Sequence, residues 1–579
     1  MSSNLNPMIS IPATDQSPNL LKFIAQQQEQ IAQQQEQIVQ LKEQAVILQT
    51  RIEALENEII RLKKLNPKPD IKPNTKPPPP DDDPSGSTSC LDENADDKES
   101  EDGESYSRKS EVERPDDTTR RQRSRPDSPP VSEEHCLSPD DIPEGSVRHG
   151  RESFTVQELE IKAKSVRYWL EQWLTPEGKT ISGRPPDSLH GHHFGSQLQA
   201  FILLQHYGCA VTQPQLLELL WDAGISISAG ELSNLLTKGH DDFHTEKDEL
   251  LATGIRCSHY LQTDDTGARH KGQNGYCTVV VNELFTWFGT TGSKSRENFL
   301  TLLHRPWPVY VLNRHGLDYL EKHGLSKKWL RLLEQYSEVH FLGPKAWEDF
   351  MDDIGFKERP GLRRSISEGM LYGSLIHHGF DRHMVTFSDG ARQFDVFDHA
   401  QCWLHAARPL EKVIPVNEQQ ANAQYWCLSR FWDIYRDLKA FKAEPSEAKA
   451  NLIRQGFDSL VHTQTGFTGL QDALGGLEVI KKELLLVLDD PSLPLHNNLS
   501  ESQIREHVKR RKISGGTRSD AGRQCRDTFA SLKKTCRQHG LSFWDYLKDR
   551  LNGTGKFPRL ANVVEYVSCW LPCGQCRNF

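Results

Sequence analysis

A Pro-, Asp- and Ser-rich stretch from 66 to 150 constrains the folding of this chain more than any other feature. It includes the run PKPDIKPNTKPPPPDDD, in which proline removes backbone donors and blocks helix formation. The few apolar residues of the stretch are too widely spaced to support a core. We therefore predict a disordered linker over residues 66–150, which separates a short N-terminal part of the 579-residue chain from a long C-terminal part.

The N-terminal part carries a seven-residue repeat from Leu20 to Leu65. Ile at the a positions with Leu at the d positions favours a parallel two-stranded coiled coil. We predict a coiled coil over residues 20–65 that joins copies into a homodimer or a higher oligomer, with a single solvated helix as the alternative. The repeat consists of Ile24, Ile31, Ile38, Ala45, Ile52 and Ile59 at a and Gln27, Gln34, Leu41, Leu48, Leu55 and Leu62 at d.

Charge and composition limit the class of protein. The net charge of -10 argues weakly against a nucleic-acid partner, but acidic residues crowd 81–102 whereas basic residues cluster at 509–512. No apolar run approaches the ~18 residues that cross a bilayer, and Met1–Gln16 lacks a signal-peptide pattern. The 12 cysteines are scattered along the chain. We predict a cytoplasmic, nucleoid-associated protein without membrane contact and with mostly free thiols.

The pattern from 154 to 250 predicts a helical region with a helix-turn-helix. The segment ELEIKAKSVRYWLEQWL is typical of an amphipathic helix or a strand–helix unit. Two capping-box patterns, at 212–215 and 228–231, open two short helices on either side of Gly224. In a DNA-reading pair, Glu231 and Asn234 of the second helix would contact bases; a plain packing unit is the alternative.

After residue 255 the apolar pattern changes to the period of strands. The segments SHYLQTD, YCTVVVN, LFTWFGT and, later, RHMVTFSDG are rich in β-branched and aromatic residues. Helices are expected over 296–353, in an insertion at about 403–490, and in a basic helix that begins near Ser500. This order predicts an α/β domain of ribonuclease-H-like type over 255–551, followed by a Cys-containing tail at 552–579.

Three acidic residues stand at the ends of these elements. Asp264 ends the first strand in LQTDDTGARH, Asp389 ends a later strand in VTFSDGARQF, and Glu501 lies in the first turn of the basic helix in HNNLSESQIR. Phosphodiester chemistry commonly uses two hard cations held by carboxylates from separate chain segments. Asp265 is a rival to Asp264, and Asp395 and Asp398 are weaker rivals to Asp389.

Taken together, the segments around these acids resemble the IS66 family of insertion-sequence transposases over about Phe154–Leu551. The resemblance implies a DDE transposase that cleaves DNA and transfers strands, with Asp264, Asp389 and Glu501 as catalytic ligands of two Mg²⁺ ions (or Mn²⁺). It also implies element ends and target DNA as partners, with accessory proteins of the same element as further candidates. The resemblance rests on TDDTGARHKGQNGYCTVVVN, SDGARQF with CWLHAARPLEK, HNNLSESQIREHVKRRKISGGTRSDAGRQCRDTFASLKKTC, and HHFGSQLQAFILLQHYG with ISISAGELSNLL.

One feature departs from that family. Members usually carry a Cys-rich zinc-binding segment between the linker and the helical region, and here this stretch holds only Cys136. Cys402 and His405 have metal-ligand spacing, for which a structural role beside the active site is favoured over zinc. Cys569, Cys573 and Cys576 in the tail lack a fourth ligand for a structural zinc site, and the histidines at 190, 192 and 193 are interpreted as surface residues.

Basic residues that follow the glutamate are candidates for contacting DNA phosphates, with a solvated surface as the alternative. The basic candidates are Arg505, Lys509, Arg510, Arg511, Lys512 and Arg518, with Arg523 beyond them.

Two other functions remain open: a ribonuclease-H-like nuclease or resolvase, and an inactive or domesticated DNA-binding dimer. The coiled coil and insertion argue against the first, and an intact acidic triad argues against the second.

Overall fold

A computed structural model describes residues 131–186, 193–304 and 308–570. The predicted coiled coil at 20–65 and the linker up to residue 130 lie outside these ranges, as do the residues at 190, 192, 573 and 576. Residues 131–150 have no regular secondary structure and are exposed, in keeping with the composition of the predicted linker. No helix among the described residues is long and apolar enough to span a membrane.

The segment at 154–171 differs from the prediction of a helix or strand–helix unit. It has no regular secondary structure, and it leads into a two-stranded hairpin of β1 (Gln172–Leu174) and β2 (Thr180–Ser182). Its apolar residues, among them Phe154, Leu159 and Trp169, are exposed. Periodicity alone did not form a helix here, because helical stability in proteins comes mostly from packing of the apolar face.

Four helices precede the main sheet within the described part of the chain. They are α1 (Ser196–Leu203), which continues through a π-helical turn at Leu204–Gly208, then α2 (Gln213–Asp222), α3 (Ala229–Thr237) and α4 (Asp241–Arg256). Both predicted capping boxes are present, at the starts of α2 and α3. Gly224 adopts a positive φ of 81° in the turn between them, a conformation that glycine reaches without steric cost. The helix-turn-helix pattern therefore forms as a helix pair.

Five strands form the central sheet of the described chain: β3 (Tyr260–His270), β4 (Gln273–Val281), β5 (Thr286–Thr291), β8 (Val385–Ser388) and β9 (Asp398–Gln401). Their order is β5-β4-β3-β8-β9. The pairs β3–β4 and β4–β5 are antiparallel, whereas β3–β8 and β8–β9 are parallel. The fold is therefore mixed α/β, with β3 at the centre of a mixed sheet.

Between β5 and β8 the chain adds a mixed segment where the sequence predicts only helices. It comprises α5 (Arg296–Leu303), β6 (Val309–Leu312), α6 (Arg314–Lys322), α7 (Lys327–Glu334), β7 (Val339–Leu342), α8 (Gly343–Asp353) and α9 (Pro360–His377). The strands β6 and β7 form a separate antiparallel pair. Each has only four residues, which is too short for alternation to separate a strand from a helix end.

After β9 and the short helix α10 (Trp403–Ala406), residues Ala407–Val479 form a compact unit of their own. The unit contains α11 (Arg408–Lys412), α12 (Glu418–Ala443), α13 (Glu447–Val461) and α14 (Thr468–Val479). Its buried side chains include Phe431, Tyr435 and Phe457. The predicted helical insertion at about 403–490 overlaps this unit.

The chain then returns to the other unit, where residues 480–570 contain five α-helices: α15 (Lys481–Leu484), α16 (Asn498–Ser514), α17 (Asp520–Gln538), α18 (Phe543–Asn552) and α19 (Leu560–Ser568). Helix α16 packs on one face of the sheet, where Ile504 joins a buried cluster with Val279 and Phe288. The region predicted as a tail at 552–579 thus includes a helix among its described residues.

Helix α17 covers the edge of β5 that has no neighbouring strand. Alternate backbone N–H groups of the strand, at 286, 288 and 290, donate to side chains spaced four residues apart on the helix, namely Thr535 Oγ1 at 3.1 Å, Ser531 Oγ at 2.9 Å and Asp527 Oδ2 at 2.8 Å. Two strand residues rise about 6.6 Å and four helical residues about 6 Å, so the two spacings match. The helix thereby satisfies donors that would otherwise remain open at a sheet edge.

Candidate active site

The register of the two central parallel strands places the two aspartates side by side. Gln262 of β3 pairs with Phe387 of β8 in parallel register. Asp264 lies two residues beyond Gln262, and Asp389 lies two residues beyond Phe387. Since both strands run in the same direction, the two acids lie side by side. Only Asp389 stands at a strand end, because β8 ends at Ser388 whereas β3 continues past Asp264 to His270. The prediction that Asp264 ends its strand is therefore wrong: residues 264–270 stay in the strand by pairing with β4.

Glu501 approaches the same position from α16. It lies in the first turn of that helix, which packs on β3 and β4. The backbone N–H of Ser500 donates to Oε1 of Gln262 at 3.3 Å, which joins the start of the helix to β3 two residues before Asp264. The turn that carries Glu501 is therefore held against the strand that carries the first aspartate.

The pKa of Asp264 responds to the charges of the other two acids. Burial, followed by the negative charge of Asp389, raises the pKa of Asp264 from 3.8 to about 7, and Asp265 and Glu501 contribute further in the same direction. Like charges at short range disfavour ionisation, and a bound cation removes that cost. Carboxylate oxygens are also the ligands that Mg²⁺ prefers.

These residues fit a divalent cation in chemistry and charge. They are not preassembled around one: among the described residues, no group of three or more acidic, His or Cys side chains is arranged to hold a metal ion. A cation would therefore have to draw the carboxylates of Asp264, Asp389 and Glu501 closer together than they stand here.

Asp265, the rival of Asp264, is engaged elsewhere. Its carboxylate is 5% exposed, forms an ion pair with Lys294 at 2.5 Å and accepts a hydrogen bond from the side chain of Gln393 at 2.6 Å. Its backbone N–H donates to Oδ1 of Asp264 at 2.7 Å. Asp265 therefore fixes Lys294 and Gln393 beside the site, a role that the sequence did not predict. Gln393 belongs to the SDGARQF segment, which was the available signal, and nothing in the pattern singled out Lys294.

The rivals of Asp389 also have other partners. Asp395 is 4.0 Å from Arg296, and Asp398, at the start of β9, is 3.8 Å from His383. Asp389 itself accepts a hydrogen bond from the backbone N–H of Ala391 at 3.1 Å. This bond sets the orientation of its carboxylate within the turn that follows β8.

Cys402 and His405 lie beside the acids. The backbone N–H of Cys402 donates to the carbonyl of Ser388 at 3.0 Å, and Nε2 of His405 is 3.6 Å from Oε1 of Glu501. Burial raises the pKa of the Cys402 thiol to about 12, which disfavours the thiolate that zinc requires. The geometry favours the structural interpretation of this pair. In the tail, Cys569 is exposed, whereas the other two cysteines of that pattern lie outside the described residues.

The sequence predicts that the basic residues after Glu501 form one solvent-facing patch. The structure does not show such a patch. Arg510 is buried, its guanidinium lies 5.0 Å from the ring centroid of Tyr207, and burial lowers its pKa to about 10. Arg511 is half-buried and donates to the carbonyl of Gly267 at 2.6 Å. Arg510 is thus a packing residue, and Arg511 ties α16 to β3. The exposed candidates are Arg505, Lys509, Lys512 and Arg518.

Glu231 and Asn234, the two candidate base contacts of the helix-turn-helix, differ in whether their side chains already have hydrogen-bond partners among the described residues. Glu231 accepts a hydrogen bond from the backbone N–H of Ser228 at 2.9 Å, and these bonds lower its pKa. Oε2 of this exposed carboxylate therefore caps α3, and contact of Glu231 with bases stays a prediction. Asn234 is exposed on the same helix, whose sequence AGELSNLLT contains no Lys or Arg.

Comparison with known proteins identifies relatives of this chain. A family model described as Transposase IS66 family matches residues 378–525, a range that includes Asp389 and Glu501 but not Asp264. A protein of Sinorhizobium fredii (strain NBRC 101917 / NGR234), named Uncharacterized protein y4jO, is 38% identical over 309 residues. The matched region covers 53% of this chain and 96% of that relative.

Proposed function

The chain belongs to the IS66 transposase family, and from this premise we propose that it is a DDE-type transposase that cleaves DNA and transfers strands of an insertion sequence. The observation that carries the proposal is the arrangement of Asp264, Asp389 and Glu501, which come from three separate parts of the fold. Burial of Asp264 and the negative charges of Asp389 and Glu501 raise the pKa of Asp264.

The sheet topology supports a ribonuclease-H-like catalytic core. Three antiparallel strands, β3 to β5, are followed by β8 and β9, which add in parallel on the other side of β3. Strand β3, the first strand of this sheet in the chain, is thereby central, and the part of it that carries Asp264 lies beside the carboxyl end of β8. Acids on two neighbouring strands, joined by one from a helix, are what this architecture would supply.

In the proposed mechanism, Asp264, Asp389 and Glu501 would hold two Mg²⁺ ions, for which Mn²⁺ is a substitute. When bound, such ions would supply the positive charge that polarises a scissile phosphate and acidifies an attacking hydroxyl. Asp264 and Asp389 orient their carboxylates through bonds from the backbone N–H groups of Asp265 and Ala391. Lys294 neutralises Asp265, so that the neighbouring acid does not add its full charge to the site.

Family membership indicates DNA as the partner, and the exposed cations after Glu501 are the candidate contacts with its phosphates. We also propose that copies associate through the heptad repeat at 20–65, because strand transfer must bring two element ends together.

A strand-transfer assay tests the function directly. The purified full-length chain would be incubated with Mg²⁺, a supercoiled target and DNA ends taken from the inverted repeats that flank its coding region. We expect joined products that depend on the repeat sequence. Cleavage without joining would indicate a nuclease or resolvase, and binding without either reaction would indicate an inactive DNA-binding protein.

Removal of the Asp264 charge is expected to stabilise the metal-free protein. The Asp264→Asn variant keeps the side-chain shape but removes a buried carboxylate that faces Asp389 and Glu501. In EDTA at pH 8 its Tm should exceed that of the wild type by roughly 2–4 °C for each kcal/mol of relieved repulsion. Added Mg²⁺ should raise the Tm of the wild type more than that of the variant.

Asp265→Asn is the matched control for that measurement, because Asp265 is the adjacent acid but is paired with Lys294. Its neutralisation should lower the Tm in EDTA and leave the response to Mg²⁺ largely intact. A Tm for Asp264→Asn below that of the wild type in EDTA would contradict the proposed repulsion among the three acids.

Replacement of three exposed cations after Glu501 should weaken DNA binding on every sequence alike. Each phosphate contact contributes about -0.9 to the slope of log affinity against log salt, so Lys509, Lys512 and Arg518 changed to Ala should flatten the slope by up to roughly three units. Fluorescence anisotropy at several salt concentrations measures the slope. The control triple Lys322, Lys327 and Arg331 to Ala removes equal charge from α6 and α7; equal slopes for the two triples would remove these residues from the DNA path.

A further inference from the structure

A chain of hydrogen bonds leads from the turn after β8, which carries Asp389, to a glutamate beside the edge strand β9. Oγ of Ser388 lies 2.9 Å from Nε2 of His399, and Nδ1 of His399 lies 3.1 Å from Oε2 of Glu483. Ser388 is the last residue of β8, His399 lies on β9, and Glu483 lies on α15. We call these three residues the Ser388–His399–Glu483 chain. It adjoins the proposed metal ligand Asp389 directly in sequence.

The partners of His399 favour one direction for these bonds. The Glu483 carboxylate accepts from Nδ1, and with the ring proton on Nδ1 the Nε2 atom can accept from the Ser388 hydroxyl. The Ser388 oxygen in turn accepts from the backbone N–H of Gly390 at 3.2 Å. The side chain of Gln401 donates to the same Glu483 oxygen. One directed path therefore runs from the backbone of the Asp389 turn to Glu483.

Burial excludes a direct chemical role for this arrangement, although it resembles the order of groups in a serine nucleophile site. Ser388 is 0% exposed, so its hydroxyl has no access to a substrate. The turn beside it has little freedom: Gly390 has a φ of 97°, and a Cβ there would stand 2.8 Å from Oε1 of Gln401. The bonds of Ser388 therefore act on the position of the backbone on both sides of Asp389.

We propose that the Ser388–His399–Glu483 chain positions Asp389 for metal binding, an inference that rests on the proposed function. The three acids are not preassembled around a cation, so the strength of binding depends on how firmly the turn after β8 holds its carboxylate. Groups that hydrogen-bond behind a metal ligand commonly change metal affinity by about 10–100-fold when removed. Here the support passes through the backbone of Gly390 rather than through the carboxylate itself.

The strand itself supplies a matched pair of variants. Ser388→Ala removes the hydroxyl that carries the chain. Thr386→Val removes another buried hydroxyl two residues earlier on the same face of β8, and this hydroxyl has no hydrogen-bond partner within the described part of the protein. Mn²⁺ binding to the full-length protein can be measured from the electron paramagnetic resonance signal of the free ion. This readout is independent of activity. We expect Ser388→Ala to weaken Mn²⁺ binding about tenfold or more and Thr386→Val to change it less than threefold.

Two replacements of His399 test the direction of the chain. His399→Gln places an amide near the Nε2 position and retains an acceptor for Ser388, whereas His399→Asn places one near Nδ1 and retains only a donor for Glu483. If the link to Ser388 positions Asp389, the Gln variant should retain most of the Mn²⁺ affinity and the Asn variant should resemble Ser388→Ala. A purely structural role would not separate the two in this way.

The outcomes distinguish the two levels of the argument. A wild-type protein that binds no Mn²⁺ and joins no DNA would overturn the proposed function. A wild-type protein that does both, with Ser388→Ala binding Mn²⁺ as tightly as Thr386→Val, would overturn the positioning role alone. Circular dichroism melts of each variant would show whether a loss of affinity reflects unfolding, and the His399 pair decides the matter if Ser388→Ala fails to fold.

Discussion

Replacement of Asp389 by Asn should abolish cleavage and strand transfer while DNA binding stays close to that of the wild type. The amide keeps the shape of the side chain, and its oxygen can still accept the bond from the Ala391 N–H, so the turn after β8 is retained. What is lost is the negative charge that faces Asp264 and that we propose holds Mg²⁺. A rate loss of three orders of magnitude corresponds to about 4 kcal/mol of transition-state stabilisation.

Asp395→Asn provides the control for this substitution. Asp395 is an acid of the same segment, six residues away, whose carboxylate lies 4.0 Å from Arg296. Its neutralisation should change the strand-transfer rate less than threefold. Anisotropy on element-end DNA, run beside the strand-transfer assay, separates loss of chemistry from loss of binding. Strand transfer by Asp389→Asn at the wild-type rate would refute the assignment of the triad.

The parts of the fold that the sequence predicted depend on short-range signals. The strands β3, β4, β5 and β8 stand out because β-branched and aromatic residues lie between polar turns. The capping boxes of α2 and α3 are also local, since each joins residues three apart. The choice of Asp264 and Asp389 among 80 acidic residues rests on their joint sequence context and on the family resemblance, and the parallel pairing of β3 with β8 places the two side by side.

The features that the sequence missed depend on contacts between distant segments. Arg510 lies in a run of four basic residues and gives no local sign of burial; its partner Tyr207 is some 300 positions earlier in the chain. Strand β9 was missed because its residues, DHAQ, have a strand conformation only through pairing with β8. The tertiary environment overrode local propensity in each case.

Glu231 shows a different limit of sequence reasoning. One capping-box pattern both identified the helix and supplied a candidate base contact. In the structure Oε2 of this carboxylate accepts from the backbone N–H of Ser228, which is the capping role alone. Similarly, Asp264 and Asp265 were distinguished by a family pattern, whereas the ion pair of Asp265 with Lys294 gives a physical reason for the distinction.

The largest expected effect on stability concerns Glu246, on α4. This carboxylate is 1% exposed and accepts four hydrogen bonds: two from Arg550, at 2.8 and 2.9 Å, one from the Tyr546 hydroxyl at 2.9 Å and one from the backbone N–H of Leu560 at 2.9 Å. It thus joins α4, immediately before β3, to α18 and α19. Glu246→Ala would remove one of the two buried carboxylates that pair with the Arg550 guanidinium, leaving only Asp549 at 2.7 Å, at a cost of up to about 3–5 kcal/mol.

Glu249→Ala, three residues further along the same helix, isolates the effect of burial. Glu249 also pairs with an arginine of the C-terminal segment, Arg559, at 2.7 Å, but the side chains of this pair are 41% and 38% exposed. An exposed pair contributes at most about 1 kcal/mol. The chain holds two compact units that need not unfold together, so hydrogen exchange at the amides of α4 and α18 is the appropriate measurement. We expect a larger loss of amide protection in Glu246→Ala than in Glu249→Ala. Equal losses would show that the buried Glu246–Arg550 pair does not stabilise the packing of α4 against α18 more than the exposed pair does.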